Sequence, residues 1–357
     1  MATALLTGFP GFIGRRLVRA LLAEHADLEV VALVESRMGA AARTLAAEIG
    51  DRLEVVEGDI AERRLGLGQT DWDRLTGSVT HVFHLAAIYD LAVPVELAQR
   101  VNVDGTGNVL ELCLAAEKLE RLAYVSTAYV AGLRHGVVYE HELIMGQAFK
   151  THYESPKFQD EVWVRELTDR IPTTVLRQAI VVGDSQSGET EKFDGPYYIL
   201  RTIARMERLR RPVVQFGHPA ASFNVVPVDF VVAAIVAAAR MPEAEGETLH
   251  LVDPDPLSSR ELITALSHAY AGRAPQAKVP PALLAQSLRS KAMREAFGGT
   301  PRQSLAYINH SVTFDARRAV DVLGPVGLAP PRFPDYIDAM VRFFRAHEDD
   351  PAFVPKR

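Results

Sequence analysis

Two rhythms of apolar and polar positions alternate along the first half of the chain. Residues 4–6, 30–34, 53–56, 81–85, 122–126 and 173–176 form short, mostly apolar runs of strand length. Between them, residues 12–24, 40–49, 101–118 and 157–170 place apolar side chains three and four positions apart, the spacing of a helix with one buried face. Strands that recur between helices and are apolar on both sides predict a parallel sheet covered on each face. The expected fold is therefore α/β, a Rossmann-type doubly wound parallel sheet.

After residue 185 the pattern loosens. Residues 185–190 and 194–196 carry turn signals, and prolines cluster at Pro254 and Pro256, at Pro280 and Pro281, and at Pro330 and Pro331. Residues 223–226 and 248–252 read as returns to the sheet. The division this predicts is a dinucleotide-binding domain over 1–185 with returns near 223–252. Most of 186–357 then forms a smaller, mainly helical substrate-binding cap. Residues 283–297, with Arg289, Lys291 and Arg294 among apolar neighbours, read as a cap helix with a solvated face.

Composition removes several alternatives. A net charge of −6 over 357 residues offers no basic face, so no nucleic-acid partner is expected. The single cysteine, Cys113, can make neither an internal disulfide nor a thiolate cage, and reads as a small buried apolar residue. The eleven histidines show no ligand spacing, so no metal is expected. No run approaches the ~18 apolar residues of a membrane span. Without a basic leader, the first residues read as a strand rather than a signal peptide, and the expected compartment is the cytoplasm.

Candidate chemistry begins at Thr7-Gly8-Phe9-Pro10-Gly11-Phe12-Ile13-Gly14, which follows the first strand and opens the first helix. Gly8 allows the tight turn, Gly11 lets backbone approach a pyrophosphate, and Gly14 allows close packing of helix on sheet. The helix N-terminus then supplies N–H donors and a positive dipole end without a charged side chain. Glu35 stands twenty-one residues after Gly14, where an acid holds the ribose hydroxyls of NAD. Arg37, Arg15 and Arg16 are placed where one of them could meet the 2′-phosphate of NADP, so this end of the site leaves the cofactor open. Asp59, in Gly58-Asp59-Ile60, can meet the adenine. His84-Leu85-Ala86-Ala87 ends the fourth strand in residues small enough for a cofactor to lie against the backbone.

Tyr153 and Lys157 stand four residues apart, on one face of a helix. A lysine ammonium favours the phenolate of a nearby tyrosine and so prepares it to exchange a proton with a carbonyl. Ser126 and Thr127 end the preceding strand, where a hydroxyl could hold the substrate oxygen. Pro156 lacks an N–H and is harmless only in a first helical turn, which predicts Tyr153 at the start of its helix.

Taken in order, the glycine turn, Gly58-Asp59-Ile60, His84-Leu85-Ala86-Ala87, Asn102-Val103-Asp104-Gly105-Thr106 and Tyr-x-x-x-Lys resemble an extended short-chain dehydrogenase/reductase over residues 3–185. The run Tyr124-Val125-Ser126-Thr127-Ala128-Tyr129-Val130-Ala131-Gly132 is similar to the thioester-reductase and fatty acyl-CoA reductase branch. So are residues 177–190 and Asn224-Val225-Val226-Pro227-Val228-Asp229. The resemblance implies Tyr153 as proton donor, Lys157 on the nicotinamide ribose, Thr127 at the catalytic Ser/Thr position, and Asn102 in a water relay to Lys157. It also implies that Gly8, Gly11, Phe12, Ile13, Gly14, Asp59, Ile60, Leu85, Ala86, Ala87 and Ile180 line the dinucleotide, and it favours NADP(H) over NAD(H). The implied reaction is reduction of a carbonyl or acyl thioester, bound to CoA or a carrier. The alternatives on the same scaffold are a nucleotide-sugar epimerase/dehydratase, a hydroxysteroid-type dehydrogenase, or a non-catalytic dinucleotide sensor. A homodimer is left open. Gln178 follows Arg177 where the superfamily commonly has proline.

Overall fold

The computed structural model describes residues 2–88, 94–151, 153–280 and 305–354, with Leu283, Gln286, Ser287, Arg289 and Ser290. Most of the expected 283–297 helix, including Lys291 and Arg294, lies outside the described residues.

The chain winds β1 (Ala2–Thr7), α1 (Phe12–Glu24), β2 (Leu28–Val34), α2 (Ser36–Ile49), β3 (Leu53–Glu57), α3 (Gln69–Ser78) and β4 (Val79–His84). It continues through α4 (Gly105–Ala115), β5 (Arg121–Thr127), α5 (Glu154–Glu166) and β6 (Thr173–Gln178). Then follow α6 (Tyr197–Arg208), α7 (Val228–Ala238), β7 (Thr248–Leu251), α8 (Ser259–Ala271) and α9 (Phe333–His347). Seven strands form one parallel sheet in the order β7-β6-β5-β4-β1-β2-β3. The strand order reverses at β1, between β4 and β2, and the crevice beyond the carboxyl ends of the strands there is the ligand position of such sheets.

Alternation along each strand explains why both faces are apolar. Leu6, Val30, Ala32, Val125 and Leu176 pack under α1 and α7, whereas Leu5, Val31, Leu33, Val82 and Val175 pack under α4 and its neighbours. Cys113 is buried in the second layer, where burial pushes its thiol up to about 12 and leaves it inert. A third core joins α6, α8 and α9 around Phe193, Tyr197, Phe333 and Phe344. Tyr197 packs beside Phe193 with ring centres 5.2 Å apart, and its oxygen accepts the Gly183 N–H at 3.1 Å. Of the two expected returns, 248–251 joins the sheet as its edge strand β7 beside β6, whereas 225–227 pairs with Ile180–Val182 in a separate two-stranded ladder and leads into α7, which covers the sheet.

Candidate active site

The glycine turn is tight for reasons each glycine shows. Gly8 has φ +95°, and the carbonyl of Gly8 accepts the Gly11 N–H at 3.0 Å. A Cβ on Gly11 would stand 2.9 Å from that carbonyl oxygen, and one on Gly14 only 2.5 Å from it. On the outer side, a Cβ on Gly8 would meet Ala86 N at 3.1 Å. The thirteen-residue helix α1 begins at Phe12 and Ile13 with no side-chain cap, so its first N–H groups keep their capacity for an anion. A close backbone turn and an uncapped helix start are what a dinucleotide pyrophosphate would need here.

After β2, Glu35 is the residue before α2, makes no side-chain cap, and is bridged by Arg37, Nε to Oε2 at 2.7 Å, with both side chains exposed. Arg15 and Arg16 instead turn to Glu189, at 3.3 and 3.0 Å. That leaves Arg37 beside the acid and commits the other two arginines across to the loop before α6. Asp59 Oδ1 accepts the Ala61 N–H at 2.8 Å, shaping the bend after β3, and Ile60 is buried there against Gly105.

A hydrogen-bond chain closes the end of β4. Thr7 Oγ1 accepts the N–H groups of Leu85 and Ala86, both at 3.1 Å, and lies 2.7 Å from His84 Nδ1. With two donors already received, the Thr7 hydroxyl gives its own hydrogen to Nδ1, which assigns the proton of a neutral His84 to Nε2. From there it reaches Thr106 Oγ1 at 3.0 Å. Burial, followed by the charge of Lys157, pushes His84 down to about 3, so it stays neutral. Leu85, Ala86 and Ala87 are thereby held beside the glycine turn, half-buried and small where a ligand would lie. Ile180 is half-buried just beyond β6, at the start of a two-stranded ladder with Val225.

Tyr153 is the residue immediately before α5, and Pro156 is the third residue within it, where its missing N–H is one of the helix's unpaired donors anyway. Lys157 is buried below the end of β5. Its Nζ donates to Tyr124 Oη at 2.6 Å and to the Val125 carbonyl at 3.4 Å, and pairs with Asp160 at 3.3 Å. Thr127, two residues on, donates to the Gln178 carbonyl at 3.3 Å and accepts the Tyr129 N–H at 3.3 Å. Asn102 sits in a π-turn (Gln99–Asp104) that packs on α5. Both ends of its amide are held by Ile88, from the Ile88 N–H at 2.8 Å and to its carbonyl at 3.1 Å. Asn102 therefore pins the loop after β4.

Sequence reasoning passed over the layer beneath. Ser126 donates to Glu161 Oε2 at 2.6 Å, and Arg177 grips the same carboxylate through Nε and Nη2, the latter at 2.7 Å. Burial works against the Glu161 charge, but Arg177 overcomes it and holds the carboxyl below its usual range. Among the described residues no three His, Cys, Asp or Glu side chains gather as a metal site would need, and no helix is long and apolar enough to cross a membrane.

A family model described as male sterility protein, of a nucleotide-binding type, matches residues 6–235. The chain belongs to that family. It is an extended short-chain dehydrogenase/reductase of the thioester-reductase-like branch, and an oxidoreductase by that membership. It is 28% identical over 311 residues, 78% of its length, to the L-2-aminoadipate reductase large subunit of Penicillium chrysogenum, of which it spans 21%. The terminal R domain of the myxalamid PKS-NRPS pathway is similar in structure, with TM-score 0.81, 25% identity, and cover of 98% of this chain and 91% of that one. UDP-glucuronic acid 4-epimerase from Bacillus cereus, solved in complex with NAD, shares the fold at TM-score 0.67 and 21% identity, over 98% of this chain and 99% of that one.

Proposed function

We propose that this protein reduces an acyl thioester, carried on CoA or on a carrier protein, to an aldehyde and a free thiol. The observation that carries the reading is the placement of Tyr153 at the head of α5, one turn before a buried Lys157 at the end of β5. Membership of a thioester-reductase-like branch supports this substrate class. Gly8, Gly11, Gly14 and the start of α1 would hold the pyrophosphate, with Leu85, Ala86, Ala87 and Ile180 along the rest of a nicotinamide dinucleotide. When bound, that cofactor supplies the hydride. Thr127, its hydroxyl turned from the Gln178 carbonyl, holds the carbonyl oxygen, Tyr153 protonates it as it gains charge, and the hemithioacetal so formed loses thiol to leave the aldehyde.

The cofactor we favour is NADP(H). Arg37, exposed beside Glu35, is the cation available to a 2′-phosphate, and the Glu35 carboxylate is already neutralised by it.

Purified protein incubated with an acyl-CoA and NADPH should consume NADPH absorbance and release thiol in equal amounts. UDP-glucose, offered in parallel, should be left unchanged. Replacing Tyr153 with Phe should lower turnover about 10²–10⁴-fold while the cofactor Kd stays within a few-fold. Loss of no absorbance with any acyl thioester, or turnover of the nucleotide sugar, would overturn the thioester assignment.

A further inference from the structure

Lys157 stands one turn after Tyr153, but its ammonium is gripped by groups that the Tyr-x-x-x-Lys motif does not contain. Tyr124 Oη accepts from Nζ at 2.6 Å and lies 3.4 Å from Asp160 Oδ2, which in turn stands 3.3 Å from Nζ. All three side chains are buried, Tyr124 and Asp160 completely. The ammonium also lies 4.4 Å from the centre of the Tyr124 ring, so ring, hydroxyl and carboxylate converge on one charge.

We propose that Asp160 is a positioning residue for the Tyr153 and Lys157 pair. Together with Tyr124 it fixes the Lys157 ammonium at the edge of the sheet and supplies the counter-charge that limits how strongly that ammonium draws the proton from Tyr153. This rests on the reading of Tyr153 as proton donor.

The reason lies in opposite demands on one lysine. Reduction needs Tyr153 protonated at working pH and able to release its proton when the carbonyl oxygen gains charge. An uncompensated buried ammonium would strip that proton too early; a fully neutralised one would not help its release. A carboxylate paired with Lys157 sets a value between the two.

The surroundings leave Asp160 in this role. Of the other acids on α5, Glu161 is spent on Arg177 of β6, Arg165 and Ser126, the buried Glu154 is paired with Lys150, and Glu166 is exposed. His84 of β4, 5.8 Å from the Tyr124 ring, is neutral. The π-turn and α4 bring Asn102 and Thr106, which do not titrate, while the charged Arg100 and Asp104 of that turn are exposed. Tyr153 and Glu161 both add to the electrostatic environment of Tyr124, whose own ionisation is pushed far up by burial and then by Asp160. Burial raises Asp160 to about 6 against the pull of Lys157, so it carries its charge where a tyrosine titrates.

The test reads Tyr153 directly, with no substrate. Tyrosinate absorbance is titrated in the apo protein, each variant being compared with its own Tyr153→Phe counterpart so that the difference belongs to Tyr153. Asp160→Asn keeps volume and removes the charge, and should lower the Tyr153 midpoint by about one pH unit. Asp160→Glu, restoring the charge, should bring it back, and the alkaline limb of the pH–rate profile should follow. Circular dichroism across the same pH range checks that each variant is folded. An unmoved or raised midpoint in Asp160→Asn overturns the proposal. Lys157→Met separates the two ideas: it should raise the midpoint. If it does and Asp160→Asn has no effect, only the role of Asp160 fails; if it does not, the reading of the Tyr153 and Lys157 pair fails as well.

Discussion

A single methyl group is enough to test the glycine turn. At Gly14 the added carbon would stand 2.5 Å from the Gly8 carbonyl oxygen, which is backbone and has no rotamer to escape into. Gly14→Ala must therefore push α1 off the end of β1. We expect a loss of about 1–3 kcal/mol in stability and at least a roughly tenfold rise in the cofactor Kd, since the α1 N-terminus is what would face the pyrophosphate. Urea unfolding and fluorescence titration with NADPH measure the two. Unchanged affinity would remove the turn from the binding site. Such residues were legible in the sequence because their function is a backbone property, written as glycine at fixed spacing. Asp160 and Tyr124 were not, because Tyr-x-x-x-Lys says which face the amine leaves and not where it ends. One signal was present: Asp160 is three residues after Lys157 and so shares its face.

Elements were read well where one face or one residue decides them. Pro156 predicted that Tyr153 would stand at the head of its helix, and α5 starts at Glu154. The expected helix over 101–118 is instead a π-turn followed by α4, with Asn102 turned to Ile88; apolar spacing cannot register one extra residue in a turn. The short α3 was missed because its apolar content is low, with Leu75 its buried residue. Pairing between α5 and β6 was equally invisible. Arg177 and Glu161 are both buried, and each is the other's charge partner. Arg177→Met leaves the Glu161 carboxylate with only the partly exposed Arg165, and should cost roughly 3–5 kcal/mol in urea unfolding. The double variant Arg177→Met with Glu161→Leu should recover more than half of that loss, because the stranded charge is gone. Additive losses would show that the two residues act separately.

On the scale of the whole molecule, sheet order follows from the β–α alternation and its right-handed crossovers, whereas the packing of α6, α8 and α9 does not, since their contacts join segments far apart in the chain. What the whole fold shares is a set of buried titrating groups, and these set its response to acid. His250 is buried, its Nε2 accepting from Arg177 at 3.1 Å and its Nδ1–H donating to the Asp315 carbonyl at 2.7 Å. Burial, then the charge of Arg177, pushes it down to about 3. A histidine depressed in the folded state contributes stability that is present above about pH 6.5 and is lost as pH falls towards the folded value. At pH 5 the loss is about 2 kcal/mol for such a group, and His84, also pushed down to about 3, adds a similar amount. Asp160 and Asp194 work in the opposite sense. Burial raises each to about 6, so their contribution is present in acid and lost as pH rises through that value. Each returns about 1 kcal/mol between pH 7 and 5, which offsets only part of the histidine loss. These four groups by themselves make the protein less stable at pH 5 than at pH 7 by about 1–2 kcal/mol in urea unfolding. His250→Gln isolates one contributor. Whatever the substitution costs at pH 7, its stability relative to the natural chain should improve by about 2 kcal/mol on going to pH 5. A difference that stays flat over that interval would mean that His250 is not held neutral by the fold.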